Sequence, residues 1–334
     1  MQASTENPVY SVFAVTKDTK YNLTDALESL DWDEPEKQIA AKATIDLMNI
    51  KVGSVELYNL ISEMDRVFIY ADDGSKKEEV FRGFVWTKAH KETTSDRTLQ
   101  LRCYDNMIFF QESEESEYFS SGNSTKTVMS SICKKWGVSL AYNYDSITHS
   151  KLVLRGNLAD IFTSDILDTV KDRTGNKYVI RSVQDVMQVN PVGSNTTIYT
   201  IKSGANAISS EKITTMDGVT TRVKILGKAD GKDRKPVAAT VNGNTSKYGT
   251  LQKLIDKDEN TSLADAKKEA QNIINIDGTP KVEYNVTTTD IPWIRKGDLV
   301  KVNAGSVNKS LLVLGISHNI AAREKTMKLT LGEQ

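Results

Sequence analysis

The 334 residues include three histidines and two cysteines, so any acid–base, nucleophilic or thiolate chemistry has few side chains to draw on. His318, in "LGISHNI", is a base or metal ligand by type, yet no second histidine, cysteine or suitably spaced carboxylate accompanies it. A structural or interface role is expected for it. His90 follows Trp86 and Lys88 on an alternating run and is expected on the exposed side of a hairpin; His149 falls in a polar stretch and is expected in a loop. Histidines this scattered assemble no catalytic triad by spacing. Cys133 lies beside the apolar positions of the helical pattern "VMSSICKKW", and Cys103 lies in the strand pattern "LQLRCYD". Each reads as a small buried hydrophobe, reduced and non-catalytic. Neither sits in the CxxC spacing of a zinc site, and two cysteines make no disulfide framework.

Three charged stretches invite a ligand and fall short of one. "DKDENTSLADAKK" opens like a calcium loop, with Asp256, Asp258 and Asn260 at alternate positions. The sharp turn then needs glycine where Thr261 stands, and the bidentate glutamate is replaced by Lys267, so a solvated helix start is expected. "KADGKDRKPVAATVNG" clusters Lys228, Lys232, Arg234 and Lys235, but no aromatic residue interleaves to stack on bases, which favours an exposed loop over a nucleic-acid contact. The acidic run "QESEESEY", Gln111 to Tyr118, is expected to be a solvated face or a mobile loop rather than a docking surface for a basic partner. With no Gly-rich phosphate loop, HExxH or paired-carboxylate signature, no residue is assigned as catalytic, cofactor-binding or metal-binding. A non-enzyme without cofactor is expected.

Composition narrows the classes further. A formal charge of -1, from 43 Lys+Arg against 44 Asp+Glu, supplies no net field to draw nucleic acid or acidic lipid. Partners must then be selected by shape and local contact. Hydrophobic content of 39% and charged content of 26% are those of a globular chain. The N-terminus "MQASTENPVYSVFAV" lacks a basic segment followed by an apolar core, and no run of about 18 apolar residues occurs, so neither a secretion signal nor a membrane span is expected. A reducing compartment is the default, and the length calls for two to three domains.

The elements that must position these side chains are mostly strands. "VYSVFAVTK", "AAKATIDLMN", "DRVFIYAD", "EEVFRGFVWTKAHK" and "DRTLQLRCYD" alternate and are rich in β-branched and aromatic residues, with Asp73-Gly74 as a hairpin turn. An antiparallel, closed sheet is expected over residues 1–105, with one short helix near "GSVELYNL". From residue 106 the period changes. "NSTKTVMSSICKKWGVSLAY" spaces Val128, Ile132 and Trp136 four apart before Gly137, and "FTSDILDTVKDRTGNKYVIRS" places Ile166, Leu167 and Val170 before Gly175. Each reads as cap, helix, glycine terminator and strand, so residues 106–205 are expected to be an α/β middle domain with two helix-Gly-strand units. The last segment, 206–334, reads as a β-domain with an inserted helix at 262–275. Ser262 and Asp265 form a capping box there, and Ala266, Ala270, Ile273 and Ile274 one apolar stripe. Its closing hairpin is expected to start at Gly297-Asp298 and to bury Val300, Val302, Leu312, Leu314, Ile316, Met327, Leu329 and Leu331 on one face. His318 is then in register near the strand's end, its polar tip reaching solvent or a neighbouring subunit.

The order of these pieces resembles a known family. A β-domain ending in "CYDNMIFF", two helix-Gly-strand units, a strand pair, "SKYGTLQKLI", the helix "ADAKKEAQNII", then "KGDLVKV" and "VLGISHNI" together resemble the baseplate hub proteins of contractile phage tails and phage-tail-like bacteriocins. The XkdQ/YqbQ-type tail proteins, which are late control protein D-like, are the nearest in style, and the resemblance spans essentially the whole chain. It implies a mainly β, α+β fold with two tail-tube-like β-barrel domains flanking the α/β middle domain. It further implies a homotrimer forming a pseudo-sixfold ring between a hexameric tail tube protein and a trimeric spike protein. Tape-measure and baseplate wedge proteins would be open to it as further partners, and neither a specific nucleic-acid sequence nor stable membrane insertion is expected. The place implied is the baseplate of a virion or tail-like particle, assembled in the bacterial host cytoplasm. A tail-associated cell-wall hydrolase, needing a catalytic acid or nucleophile, and a carbohydrate-binding tail module, needing clustered exposed aromatics, are the rival functions.

Overall fold

The computed structural model describes residues 8–17, 19–94, 97–228, 235–257, 261–321 and 324–333. The chain divides into two compact units, each built from separated segments: Met1–Glu112, Val179–Glu211 and Tyr284–Gln334 in the first, and Ser113–Tyr178 and Lys212–Glu283 in the second.

The first unit is organised on one thirteen-stranded sheet. Its main path runs Ala207–Thr215, Lys281–Thr289, Lys325–Gly332, Val307–Ala321, Leu27–Glu34, Lys42–Met48, Arg97–Tyr104, Lys77–Glu92, Arg66–Asp72, Val9–Thr16 and Thr19–Asn22. Leu299–Ala304 pairs Val307–Ala321 off this path and carries Thr200–Lys202 in parallel. Among the described residues the path ends at two free edges and does not close on itself. The reason lies in Val307–Ala321, fifteen residues long. It pairs Lys325–Gly332 through Leu312–Ile320 and Leu27–Glu34 through Ile316–Ala321, so the early and late strands share one sheet. Period-2 alternation fills the core of the early half, where Val12, Leu30, Trp32, Ile45, Leu47, Ile69, Leu99 and Leu101 interdigitate.

The strands expected from alternation are present within a residue or two, and Gly74 at φ 81° makes the Asp73-Gly74 turn. Leu27–Glu34, "LESLDWDE", was not among them. Its four acidic residues mask the alternation of Leu30 and Trp32, which are fully buried. The closing hairpin buries Val300, Val302, Leu312, Ile316, Met327, Leu329 and Leu331 as expected, but its second strand begins at Val307 rather than beyond the polar run. A β-bulge between Val313 and Gly315 then shifts the phase. Leu311 and Val313 face the core before it, Ile316, His318 and Ile320 after it, and Leu314 is only half-buried.

In the second unit, Ser124 caps the helix Thr125–Lys135 by accepting the Thr127 amide, and Gly137 at φ 68° ends it. The second helical segment runs from Leu158 through a π-helical stretch, Ile161–Leu167, to Thr174, and Gly175 at φ 83° stops it. The helix Leu263–Asp277, capped by Ser262, lays Ala266, Ala270, Ile273 and Ile274 on Val223 and Ile225 of the sheet Val237–Asn242, Arg222–Leu226 and Gln252–Asp256. That shared apolar core places residues 212–283, helix included, in the second unit and not with the strands that close the chain. The sequence boundaries 106–205 and 206–334 therefore differ from those of the compact units. Of the two readings of the acidic run, the solvated face holds and the loop does not: Glu114–Phe119 is a strand antiparallel to Leu152–Asn157 with alternate residues exposed, and the Lys135 ammonium lies 2.7 Å from Glu115 and 2.8 Å from Glu117.

Candidate functional site

Of the reactive residue types in the first unit, His318 lies where Val307–Ala321 meets Leu27–Glu34. His318 stands opposite Trp32 in the ladder, and the two rings stack 3.7 Å apart at 4°. Neither is exposed. Because a carboxylate only accepts, the His318 Nδ1–H donates to Asp290 Oδ1 at 2.6 Å, and the Tyr10 hydroxyl donates to Asp290 Oδ2. Burial, then the Asp290 charge, push the Tyr10 phenol far above its ordinary range. The imidazole Nε2 has no hydrogen-bond partner among the described residues. Four side chains from sequence positions 10, 32, 290 and 318 thus form one dry cluster. Through its hydrogen bond to Asp290 the buried imidazole ties Val307–Ala321 to the Asp290 segment. The expected solvent-reaching tip of His318 is corrected accordingly: the ring keeps its expected register with Ile316, but its Nδ1 ends on Asp290 and none of it is exposed.

A second cluster is built by "RKGD". Glu34, opposite Ile316 in the same ladder, accepts Arg295 Nε at 3.0 Å and the Lys296 amide at 2.8 Å. Burial alone would raise its carboxyl; Arg295 and Lys296 overcome that and hold it at about 2. Lys296 sends its ammonium to the carbonyls of Pro35 at 3.0 Å and Gln38 at 2.6 Å, and burial depresses its pKa. Asp298 accepts Arg181 at 3.0 Å and the Arg295 amide at 3.0 Å. Between them Gly297, at φ 87°, lies so close to Val179 that a Cβ would fall 2.6 Å from its Cγ1. Asp105 accepts the amides of Ala41 at 3.0 Å and Met107 at 2.9 Å, yet burial dominates and raises it to about 7. Asp105 and Arg295 line the floor of a cleft of about 500 Å³ with Tyr70, Arg82 and Gln184.

The other sequence candidates lie apart from this joint. His90 is exposed as expected, beside Asn49 at 3.2 Å and the Tyr58 ring. His149 lies in a loop as expected, but its side chain is buried there, with Nε2 2.9 Å from the Thr125 hydroxyl. Cys103 and Cys133 are both buried, and burial raises both thiols, Cys133 to about 12. Lys235 pairs with Asp256 at 2.6 Å, while Lys232, Arg234, Asp258 and Asn260 lie outside the described residues. Among the described residues no group of three or more His, Cys, Asp or Glu side chains is disposed to hold a metal ion, and no helix is long and apolar enough to cross a membrane. The joint escapes sequence reading because its members lie up to 308 residues apart; only the carboxylates and histidine amid strand patterns hinted at it.

Comparison with known proteins agrees with an assembly role for such a scaffold. A family model described as YQBQ-like matches residues 30–332. The chain is 22% identical over 327 residues, 96% of each chain, to the phage-like element PBSX protein XkdQ of Bacillus subtilis. In fold it is similar to the 43 kDa tail protein of prophage MuSo2 from Shewanella oneidensis, with TM-score 0.70, 12% identity and coverage of 97% and 98%. It is also similar to an Escherichia coli type VI secretion component, itself described as structurally similar to the T4 tail proteins gp27 and gp5, with TM-score 0.57, 11% identity and coverage of 92% and 74%. The fold is that of phage-tail proteins.

Proposed function

Because the chain belongs to the YQBQ-like family, we propose that it is a structural baseplate hub of a contractile tail, a homotrimer joining a hexameric tail tube to a trimeric spike. One observation carries the reading. The first unit holds an early and a late set of strands, hinged on Val307–Ala321 and locked there by two buried polar clusters. Three chains then supply six β-halves, the number a hexameric tube requires, while keeping the threefold symmetry of a spike. In this reading residues 1–105 are one tube-like half, the strands of 206–334 that lie in the first unit are the other, and 106–205 is the α/β middle domain. The mechanism is mechanical: side-by-side β-halves form a ring whose channel passes the tape measure or translocated cargo.

Light scattering on the full chain, alone and with spike protein, tests it. The expected mass is three times the protomer's 37.1 kDa. A protomer mass at micromolar concentration in both samples contradicts it.

A further inference from the structure

The hairpin Tyr178–Val183 and Val186–Pro191 turns through two residues, Gln184 and Asp185, both left-handed at φ 52° and 66°. A two-residue turn of this hand matches the twist of the strands, and asparagine, aspartate and glycine are its usual occupants. Gln184 has neither their short polar side chain nor a missing Cβ to relieve the conformation, so the turn is strained. Something outside the turn must hold it.

The holding contact is electrostatic and lopsided. Asp185 Oδ2 accepts from Arg66 at 2.7 Å and from Arg82 at 3.2 Å, while Asp185 Oδ1 and Arg66 Nε are buried with no hydrogen-bond partner among the described residues. The receiving side needs nothing from the turn. Arg82 is gripped by Glu79 through both Nε and Nη2, and Arg66 lies 4.5 Å over the Phe84 ring. With 29% of the Arg66 side chain and 32% of the Asp185 side chain exposed, dissolved salt reaches the clasp.

Burial divides the hairpin into a pinned base and a light tip. Val179, Ile180, Met187 and Val189 are buried, whereas none of residues 183–186 is. Arg181 is tied to Asp298 at 3.0 Å, and the Ser182 hydroxyl donates to Asn106 at 2.7 Å. Beyond Ser182 the tip is held from outside the hairpin by the Asp185 clasp and by the Asp185 carbonyl, which accepts Asn106 Nδ2 at 2.8 Å. Ser182, Val183 and Gln184 form one wall of the cleft of about 500 Å³ whose floor holds Asp105 and Arg295. At that floor Asp105 accepts the amides of Ala41 and Met107.

We propose that the tip, residues 183–186, is a latch over this cleft: seated, with Asp185 on the two arginines, it covers the floor, and released, it relaxes its turn and opens the floor to solvent. A preformed catch, a strained turn and a tip without a buried side chain put the released position within reach while the base stays folded. The inference stands apart from the trimeric reading.

Hydrogen exchange of the full chain, read by mass spectrometry on peptides covering the tip, the base and the floor amides of Ala41 and Met107, tests it at about 0.1 M and about 1 M salt. High salt is expected to speed tip and floor together by about threefold or more, as the partly exposed clasp is screened. Asp185→Asn keeps the tolerance for a left-handed backbone and removes the charge, so it should speed both by about tenfold and abolish the salt effect. Gln184→Asn relieves the strain and keeps the clasp, so it should slow both. Base peptides should be unchanged throughout, which also serves as the folding control. A tip indifferent to salt or to Asp185→Asn overturns the latch, as does a Gln184→Asn tip no slower than the parent's. A tip that speeds without the floor, or a base that speeds with the tip, overturns it equally.

Discussion

Replacing His318 by alanine tests the joint directly. The substitution deletes a ring with no exposed surface, stacked on Trp32, and removes one of the two side-chain donors that hold the Asp290 carboxylate. Two costs follow. The cavity and lost stacking contacts cost about 2 kcal/mol, the lower range for large-to-small core changes, since part of the ring's own burial cost is recovered. Leaving a buried carboxylate short of a donor costs about 1–3 kcal/mol more. The sum, roughly 3–5 kcal/mol, is a large fraction of a typical domain's stability. Urea unfolding followed by tryptophan fluorescence reads it in the first unit, where Trp32 reports from the joint. A double-mutant cycle with Tyr10→Phe, which removes the other donor, should show coupling, because both residues serve one carboxylate. A loss under about 1 kcal/mol, or strict additivity, would refute the reasoning that the cluster is a structural lock. The same result would reopen the reading of His318 as a residue retained for chemistry.

Gly297→Ala should destabilise the first unit by more than about 2 kcal/mol, because it combines a positive φ with a Cβ set 2.6 Å from Val179; a silent substitution in the same urea assay contradicts the geometry. Glu34, held at about 2 against an ordinary 4.5, contributes stability that is present above about pH 4.5 and is lost as pH falls toward 2. Glu34→Gln should lower stability at pH 7 and flatten that acid limb, and an unchanged limb would show that other groups govern it. Asp105, raised to about 7, acts with the opposite sign: its contribution is full below about pH 4 and lost as pH rises through 7, so Asp105→Asn should reduce that loss. Leu311→Asp should prevent soluble expression whereas Leu314→Asp should be much milder, because the bulge leaves only the former fully buried; equal damage from both would place the bulge elsewhere.

What the sequence disclosed was what short range determines. Period-2 runs such as "VYSVFAVT" and "RVFIYAD", the serine caps at Ser124 and Ser262, and the glycines that end helices and turns are decided by side-chain alternation and backbone sterics within a few residues. Leu27–Glu34 escaped because acidic residues occupy its outward positions, and Glu114–Phe119 because glutamates alternating with serine and aromatics read as a solvated run until Lys135 is seen to pair with two of them. Plain alternation already puts His318 in register with Ile316; what no local signal marks is the bulge that leaves Leu314 unpaired and lets Leu311 and Val313 face the core before it. The partnership of Trp32 with His318, or of Glu34 with Arg295, exists only once strands hundreds of residues apart share a ladder. The buried polar joint was not legible for the same reason.

The most direct test of the hub is to image intact tail particles from a bacterium carrying this gene and to locate the chain in the density. The account predicts three copies in one ring at the baseplate, six β-halves facing the hexameric tube and a trimeric spike below. A single copy per particle, six copies, or a position away from the tube–spike junction would contradict it.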